Sequence, residues 1–274
     1  MSSLVLYSWN PGGETGKKDG FQWSLDDIAR EMKLFGFPDL MVFQEAGGDQ
    51  KEIKEVAEGL SYQTEYIPEV ADAQPQYLLN SQSYLWAWDE KRVVADGPSV
   101  HVNCDPYSNQ HILEWIRSRD AFEQGALTHL ALYMRWPVYK RFKWVGDNRT
   151  IHVFSLHGSL KKDFAGVRQE VHCQIGLIET VEIFQRSNQF LEAAGAIDDI
   201  VLIAGDFSLN AAELRTAGLL NDFNLIASEE DGAKWCHILA KGQEFRYAHL
   251  YARYPDLLRS YAGVHQVMAI KMEA

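Results

Sequence analysis

Cysteine is scarce in this chain. Cys104, Cys173 and Cys236 are the three in 274 residues, they lie far apart, and no CxxC pair occurs. A disulfide framework is excluded and a cysteine-based zinc site has no spacing to rest on. The three read as reduced, small apolar residues of a reducing compartment. Long apolar runs are also missing: none reaches the roughly 18 residues that a membrane-spanning helix needs. Basic charge is short, with 26 Lys plus Arg against 38 Asp plus Glu and a formal net charge of −12. That balance argues against a broad basic clamp on nucleic acid. It leaves room for a phosphodiester substrate, because a divalent metal can supply positive charge locally. The opening residues MSSLVLYSWN carry no basic n-region and no cleavage-type motif. The expected compartment is therefore the cytoplasm, or the exterior if a leader has been trimmed away. No internal repeat, low-complexity tract or Pro/Gly/Ser linker interrupts the chain, so a single domain over 1–274 is expected.

What is present is ordinary globular material, 46% hydrophobic and 23% charged, enough for a large core. Strands are expected at 3–9, 39–44, 62–67, 83–88, 128–135, 139–145, 149–156, 199–204, 223–227, 244–251 and 265–271. Helices are expected from Ser24 to about 36, near 50–59, along 164–192 and near 210–220. Residues 103–126 read as a long polar loop. Many strands with few helices suggest sheets packed face to face with helices outside. The stretch 136–144 interleaves rings with Lys140, Arg141 and Lys143. It reads either as a stacking surface for a ringed phosphate ligand or as a strand with aromatic core face and basic wet face.

Polar groups sit at the C-terminal ends of the buried strands: Asn10, Glu45, His157 and Asp206, with His265 opening the last strand. Converging on one sandwich edge, a carboxylate and an amide could hold a hard cation such as Mg²⁺, which prefers oxygen ligands. Histidines beside it could act as bases or stabilise a charged transition state. Taken singly, each has a plain alternative as a turn former, a cap or a hydrogen-bonded surface group.

Tyr7-Ser-Trp-Asn10, Val42-Phe-Gln-Glu45-Ala-Gly, Ser155-Leu-His157 and Ala204-Gly-Asp206-Phe, in that order, resemble the motifs of the endonuclease/exonuclease/phosphatase superfamily, which includes DNase I-like nucleases. Gln44-Glu45-Ala46-Gly47 and Arg135-Trp-Pro137 are most similar in wording to the nuclease subunit of cytolethal distending toxins. The resemblance implies an α/β (α+β) four-layer sandwich of two mainly antiparallel sheets flanked by helices. It implies a Mg²⁺- or Mn²⁺-dependent phosphodiesterase of DNase type, acting on DNA, with a protein partner as in toxin assemblies. By the same resemblance Asn10 and Glu45 bind the metal, and His157 donates to a phosphate oxygen. Asp206 orients or activates water, His265 serves as base or acid, and Arg135 contacts a neighbouring phosphate.

Three departures accompany these matches. The family's Gly-Asp-x-Asn reads Gly205-Asp206-Phe207-Ser208, leaving Ser208 where an amide is expected and Asn210 two residues beyond as its substitute. Leu-Asp-Tyr looks like Phe245-Arg246-Tyr247, and Ser-Asp-His looks like Gly263-Val264-His265. A histidine without its carboxylate loses its fixed tautomer, at a cost of about 10⁴ in another hydrolase. A lost hydrogen-bond donor costs about 10²–10³. His249, Glu244 and Asp163 are candidates for compensation. Two alternatives therefore stand beside the nuclease: a catalytically impaired binding protein on the same scaffold, or a phosphatase acting on inositol phosphates or lipids.

Overall fold

The computed structural model describes residues 3–10, 29–30, 33, 36–44, 51–67, 83–158, 174–216, 223–228, 236–241, 246–250 and 268–273. The strands in chain order are β1 (Ser3–Trp9), β2 (Leu40–Phe43), β3 (Gln63–Ile67), β4 (Tyr84–Trp88), β5 (Val93–Ala95), β6 (Val100–His101), β7 (Val138–Trp144), β8 (Thr150–His157), β9 (Ile200–Asp206), β10 (Phe223–Ser228), β11 (Cys236–Lys241), β12 (Arg246–Leu250) and β13 (Met268–Glu273). The helices are α1 (Lys51–Gly59), α2 (Gln110–Arg117), α3 (Ala121–Tyr133), α4 (Asn188–Gly195) and α5 (Ala211–Thr216).

One sheet has the order β12-β13-β1-β2-β4-β3, the other β10-β11-β9-β8-β7-β5, with β6 on β7. Neighbours run antiparallel except β1 with β2 and β8 with β9, which are parallel. Those two exceptions matter most for the site. A parallel pair ends its strands at the same edge, so residues following β1 and β2 share one edge, and those ending β8 and β9 share another.

Strand periodicity sorts the side chains into layers. Leu4, Leu6, Leu40 and Val42 of the first sheet pack with Ile151, Val153, Ile200 and Leu202 of the second in the inter-sheet core. The alternate residues face outward. Tyr7, Trp9, Met41 and Phe43 meet Ile53 and Ala57 of α1. Phe154, Leu156, Val201 and Ile203 meet Ile112, Trp115 and Ile116 of α2, Leu127 and Ala131 of α3, and Phe190 of α4. The result is the expected helix–sheet–sheet–helix sandwich.

Several expectations fail locally. Residues 103–126 are not a loop, and 128–135 is not a strand; α2 and α3 occupy them. Asn109 caps α2 by accepting from the Ile112 N–H, and Asp120 caps α3 by accepting from Phe122 and Glu123. Leu127, Ala131 and Met134 then recur at helical spacing and are buried. The cap that decides this lies well upstream of the apolar run it organises. The helix expected over 164–192 is broken within the described part. A π turn at Ile178–Ile183 and a 3₁₀ turn at Phe184–Arg186 lead to Ser187, which is extended and caps α4 through Phe190 N–H. The π turn rotates the buried stripe, so Ile183 and Phe184 are both inside. β11 was not anticipated, because the sequence around Cys236 lacks a clear alternation.

Strand β7 keeps its aromatic face in the core, but Lys140 joins it. Lys140 is buried over the Trp88 and Phe142 rings and pairs with Glu65 at 2.5 Å and with the Gly97 carbonyl at 3.1 Å. Only Arg141 and Lys143 of the three cations face outward. Cys104 and Cys236 are both buried, and burial pushes the Cys104 thiol up.

Candidate functional site

Along the inner face of four strands, the apolar series gives way to polar residues at the C-terminal end. β1 reads Leu4, Leu6, Ser8 and then Asn10; β2 reads Leu40, Val42 and then Gln44. β8 reads Ile151, Val153, Ser155, His157, and β9 reads Ile200, Leu202, Ala204, Asp206. All seven polar or small positions of these series sit in the slot where the two sheets face each other. His157 stands directly opposite Asp206 in the parallel register. Across the slot, Asn10 Nδ2 approaches Asp206 Oδ2 at 3.5 Å, joining residues 196 positions apart. Asn10, His157, Asp206 and Arg135 are 1%, 1%, 2% and 5% exposed. Buried polar groups at this density need one another's hydrogen bonds.

Gln44 ties the two sheets together at this edge. Its Nε2 donates to Ser155 Oγ at 3.0 Å and lies 3.3 Å from Ser8 Oγ. Sequence reasoning passed over Gln44, Ser8 and Ser155, although the same period-two pattern marks them. Arg135 follows α3 and reaches the end of β8, where Nη1 lies 2.8 Å from His157 Nε2 and donates to the Gly158 carbonyl at 2.9 Å.

The turn after β9 is built tightly. Gly205 has φ +138°, and a Cβ there would lie 2.0 Å from the Leu156 carbonyl oxygen, so no other residue fits. Gly158 N–H donates to the Asp206 carbonyl at 2.8 Å. Asp206 Oδ1 accepts from the Ser208 N–H at 2.8 Å, closing an Asx turn. Ser208 itself has φ +54°, a left-handed conformation that asparagine adopts more readily than serine. Asn210 Oδ1 accepts from the N–H groups of Ala212 and Glu213, while Glu213 Oε2 accepts from the Asn210 N–H. That reciprocal pair is a capping box for α5. His237, also missed by sequence reasoning, braces the turn from behind. Its Nε2 meets the Leu209 carbonyl at 2.6 Å and its Nδ1 meets Ser228 Oγ at 2.9 Å.

Of the sequence-derived residues, the structure thus brings Asn10, Arg135, His157, Asp206 and Ser208 together. Glu45 and His265 lie outside the described residues, as do Val264, Glu244 and Asp163; Arg246 and His249 lie on β12. As for a cation, the oxygens of Asn10, Asp206 and Gln44 are a hard donor set of the kind Mg²⁺ takes. Among the described residues Gln44 Oε1 is a buried acceptor without a hydrogen-bond partner, and no group of three or more His, Cys, Asp or Glu forms a ready-made metal cage. The described half of the site fits the ion, and Glu45 follows directly on Gln44.

No protein-family model and no curated protein matches the sequence. Solved structures do match in three dimensions. The catalytic domain of human Nocturnin with bound sulfate superposes with a TM-score of 0.63 at 13% identity, over 99% of this chain and 94% of that one. TDP2 from D. rerio, complexed with a single-strand DNA product, gives a TM-score of 0.56 at 14% identity over 100% of both chains. An endonuclease/exonuclease/phosphatase from Bacteroides vulgatus gives 0.60 at 11% identity, over 100% of this chain and 99% of that one. The chain therefore has the DNase I-like fold of the endonuclease/exonuclease/phosphatase proteins, as the motif resemblance implied. Among the described residues, no helix is long and apolar enough to cross a membrane.

Proposed function

We propose that the chain is a divalent-metal-dependent phosphodiesterase of DNase type, one domain over 1–274, hydrolysing phosphodiester bonds in DNA. The observation that carries this reading is the meeting of Asn10 with Asp206 across two sheets, with His157 beside them. Three polar groups buried between two apolar faces are costly unless they serve a ligand or one another. Asn10 and Glu45 would hold Mg²⁺ or Mn²⁺, which when bound supplies positive charge to the scissile phosphate. His157 would donate to a phosphate oxygen. Asp206 would orient the attacking water, with His265 as base or acid. Arg135 would meet a neighbouring phosphate. Ser208 would offer its hydroxyl, and Asn210 only its Nδ2, since Oδ1 is held by the α5 cap. The DNA product on one fold neighbour and the sulfate on another support an oxyanion ligand. The toxin-like wording at Gln44–Gly47 supports the DNase form and a protein partner.

The test is cleavage of supercoiled plasmid with Mg²⁺ or Mn²⁺ by wild type, His157→Ala and Glu45→Ala. Loss of cleavage in both variants is expected; cleavage that survives both ends this reading. A panel including inositol phosphates and phosphoinositides sets apart a phosphatase using the same groups.

A second reading, a binding protein with impaired turnover, is favoured by Ser208 in place of the family's amide. It predicts no metal-dependent hydrolysis of any of these substrates with oligonucleotide binding intact, whereas Mg²⁺ binding in calorimetry that Glu45→Ala abolishes favours the enzyme.

A further inference from the structure

The contact between Arg135 and His157 has a definite proton chemistry. A guanidinium carries only N–H donors and no acceptor, and it stays charged at all working pH values. At 2.8 Å from Arg135 Nη1, His157 Nε2 can therefore only be the accepting, unprotonated nitrogen. The ring is then neutral and its proton sits on Nδ1. The same guanidinium nitrogen is anchored on the Gly158 carbonyl, the residue next to His157, so the pair is held by the chain's own backbone. Both side chains are buried, which makes the contact strong and the alternative of two facing cations expensive.

We infer that Arg135 is a positioning residue that holds His157 as the neutral Nδ1–H tautomer. This deepens the phosphodiesterase reading and rests on it for its consequence. While Nε2 accepts from Arg135 it cannot donate to a phosphate oxygen. A phosphodiester that enters must first draw the guanidinium onto its own oxygens, and only that releases Nε2 from the Arg135 N–H. Charge recognition by Arg135 thus precedes the engagement of His157, and a ligand without an anionic oxygen leaves His157 an acceptor.

The experiment is long-range ¹H–¹⁵N correlation on the full chain with ¹⁵N-labelled histidine at neutral pH, without added phosphate. The His157 signals are identified by their loss in His157→Gln. The expected wild-type pattern is a protonated Nδ1 and an unprotonated Nε2. In Arg135→Met, which keeps an aliphatic stem in the same space, the pattern should move toward the Nε2–H tautomer that free imidazole side chains prefer. A wild-type Nε2–H pattern overturns the inference by itself, even if Arg135→Met fails to fold. An unchanged pattern in a folded Arg135→Met overturns it equally. Because this readout involves no turnover, it can fail while plasmid cleavage succeeds, and the reverse, so the two claims are judged apart.

Discussion

A histidine and an acid stand near each end of the β8–β9 pair, and the two ends behave differently. At the N-terminal end, His152 stacks on Tyr139, its Nδ1 meets the Tyr139 hydroxyl at 2.7 Å, and its Nε2 meets Asp199 Oδ2 at 2.9 Å. Burial, against the opposing charge of Arg141 and with help from Glu192, Asp199 and Asp96, pushes the Tyr139 hydroxyl up to about 12. The phenol keeps its proton, and both ring nitrogens are served, one from β7 and the other from the residue just before β9. This cluster lies on the outer face beneath the helices. At the C-terminal end, His157 and Asp206 lie on the inner face, joined by Asn10 and Gln44 from the other sheet and by Arg135 from beyond α3. A His–acid pair alone therefore does not define a site here. Contributions from separate strands, meeting in a slot between sheets, do.

The largest expected effect tests this contrast directly. His157→Ala should lower plasmid cleavage by about 10³-fold or more, the scale of losing a preorganised donor. His152→Ala should leave the rate within about twofold while lowering unfolding free energy by roughly 1–3 kcal/mol, the cost of stripping a buried hydrogen-bond network. Equal losses of rate in both variants would erase the distinction between the two ends. Next comes Gly205→Ala, whose Cβ would collide with the Leu156 carbonyl oxygen. Destabilisation above about 4 kcal/mol is expected by urea unfolding, through a strained backbone with no room to relax. A variant with wild-type midpoint would show that the β8–β9 register at the site is not locked by this residue.

Glu65 belongs with the closed, structural groups. Burial alone would raise its carboxyl, but hydrogen bonds from Lys140 and Ser99 outweigh it and hold the carboxyl below its ordinary value of 4.5. A carboxyl depressed in the folded state adds stability that is full above the ordinary value and lost as pH falls through the folded one. Glu65→Gln should thus cost roughly 1–3 kcal/mol at neutral pH, moderated by the partial exposure of the carboxylate. The gap to wild type should close below about pH 4 in urea titrations. A gap constant from pH 7 to pH 3 would contradict this. The smallest effect is Ser208→Asn. It should raise unfolding free energy by under about 1 kcal/mol, because asparagine tolerates the left-handed region better. It should also raise cleavage, by restoring an amide beside Asp206. Lower activity with unchanged stability would mean that the site is organised around the hydroxyl, whose oxygen lies over Gly158.

Much of this was legible before any coordinates. The alternation in β1, β2, β8 and β9 fixes which residues share a face, and the same count of two separates His157 from His152, an odd number of residues away on one strand. The motif order pointed to the fold and to Asn10, Arg135, His157, Asp206 and Ser208. What escaped was nonlocal. Asp120 decides a helix whose apolar face begins at Leu127, and Ser187 ends a helical run that hydropathy alone would continue. Lys140 resides in the core because Glu65, 75 positions away, accepts its charge.

The sequence by itself determined the faces, since side-chain direction follows strand and helix periods with no reference to distant chain. It also determined that polar residues gather at the strand ends. The tertiary structure alone decided that β1 and β2, and β8 and β9, run parallel, so that their ends share edges. It alone brought those edges face to face, placing Asn10 against Asp206 and Arg135 against His157. Strand direction and sheet pairing are settled by burying two apolar faces at once, a condition that no local stretch of residues can express.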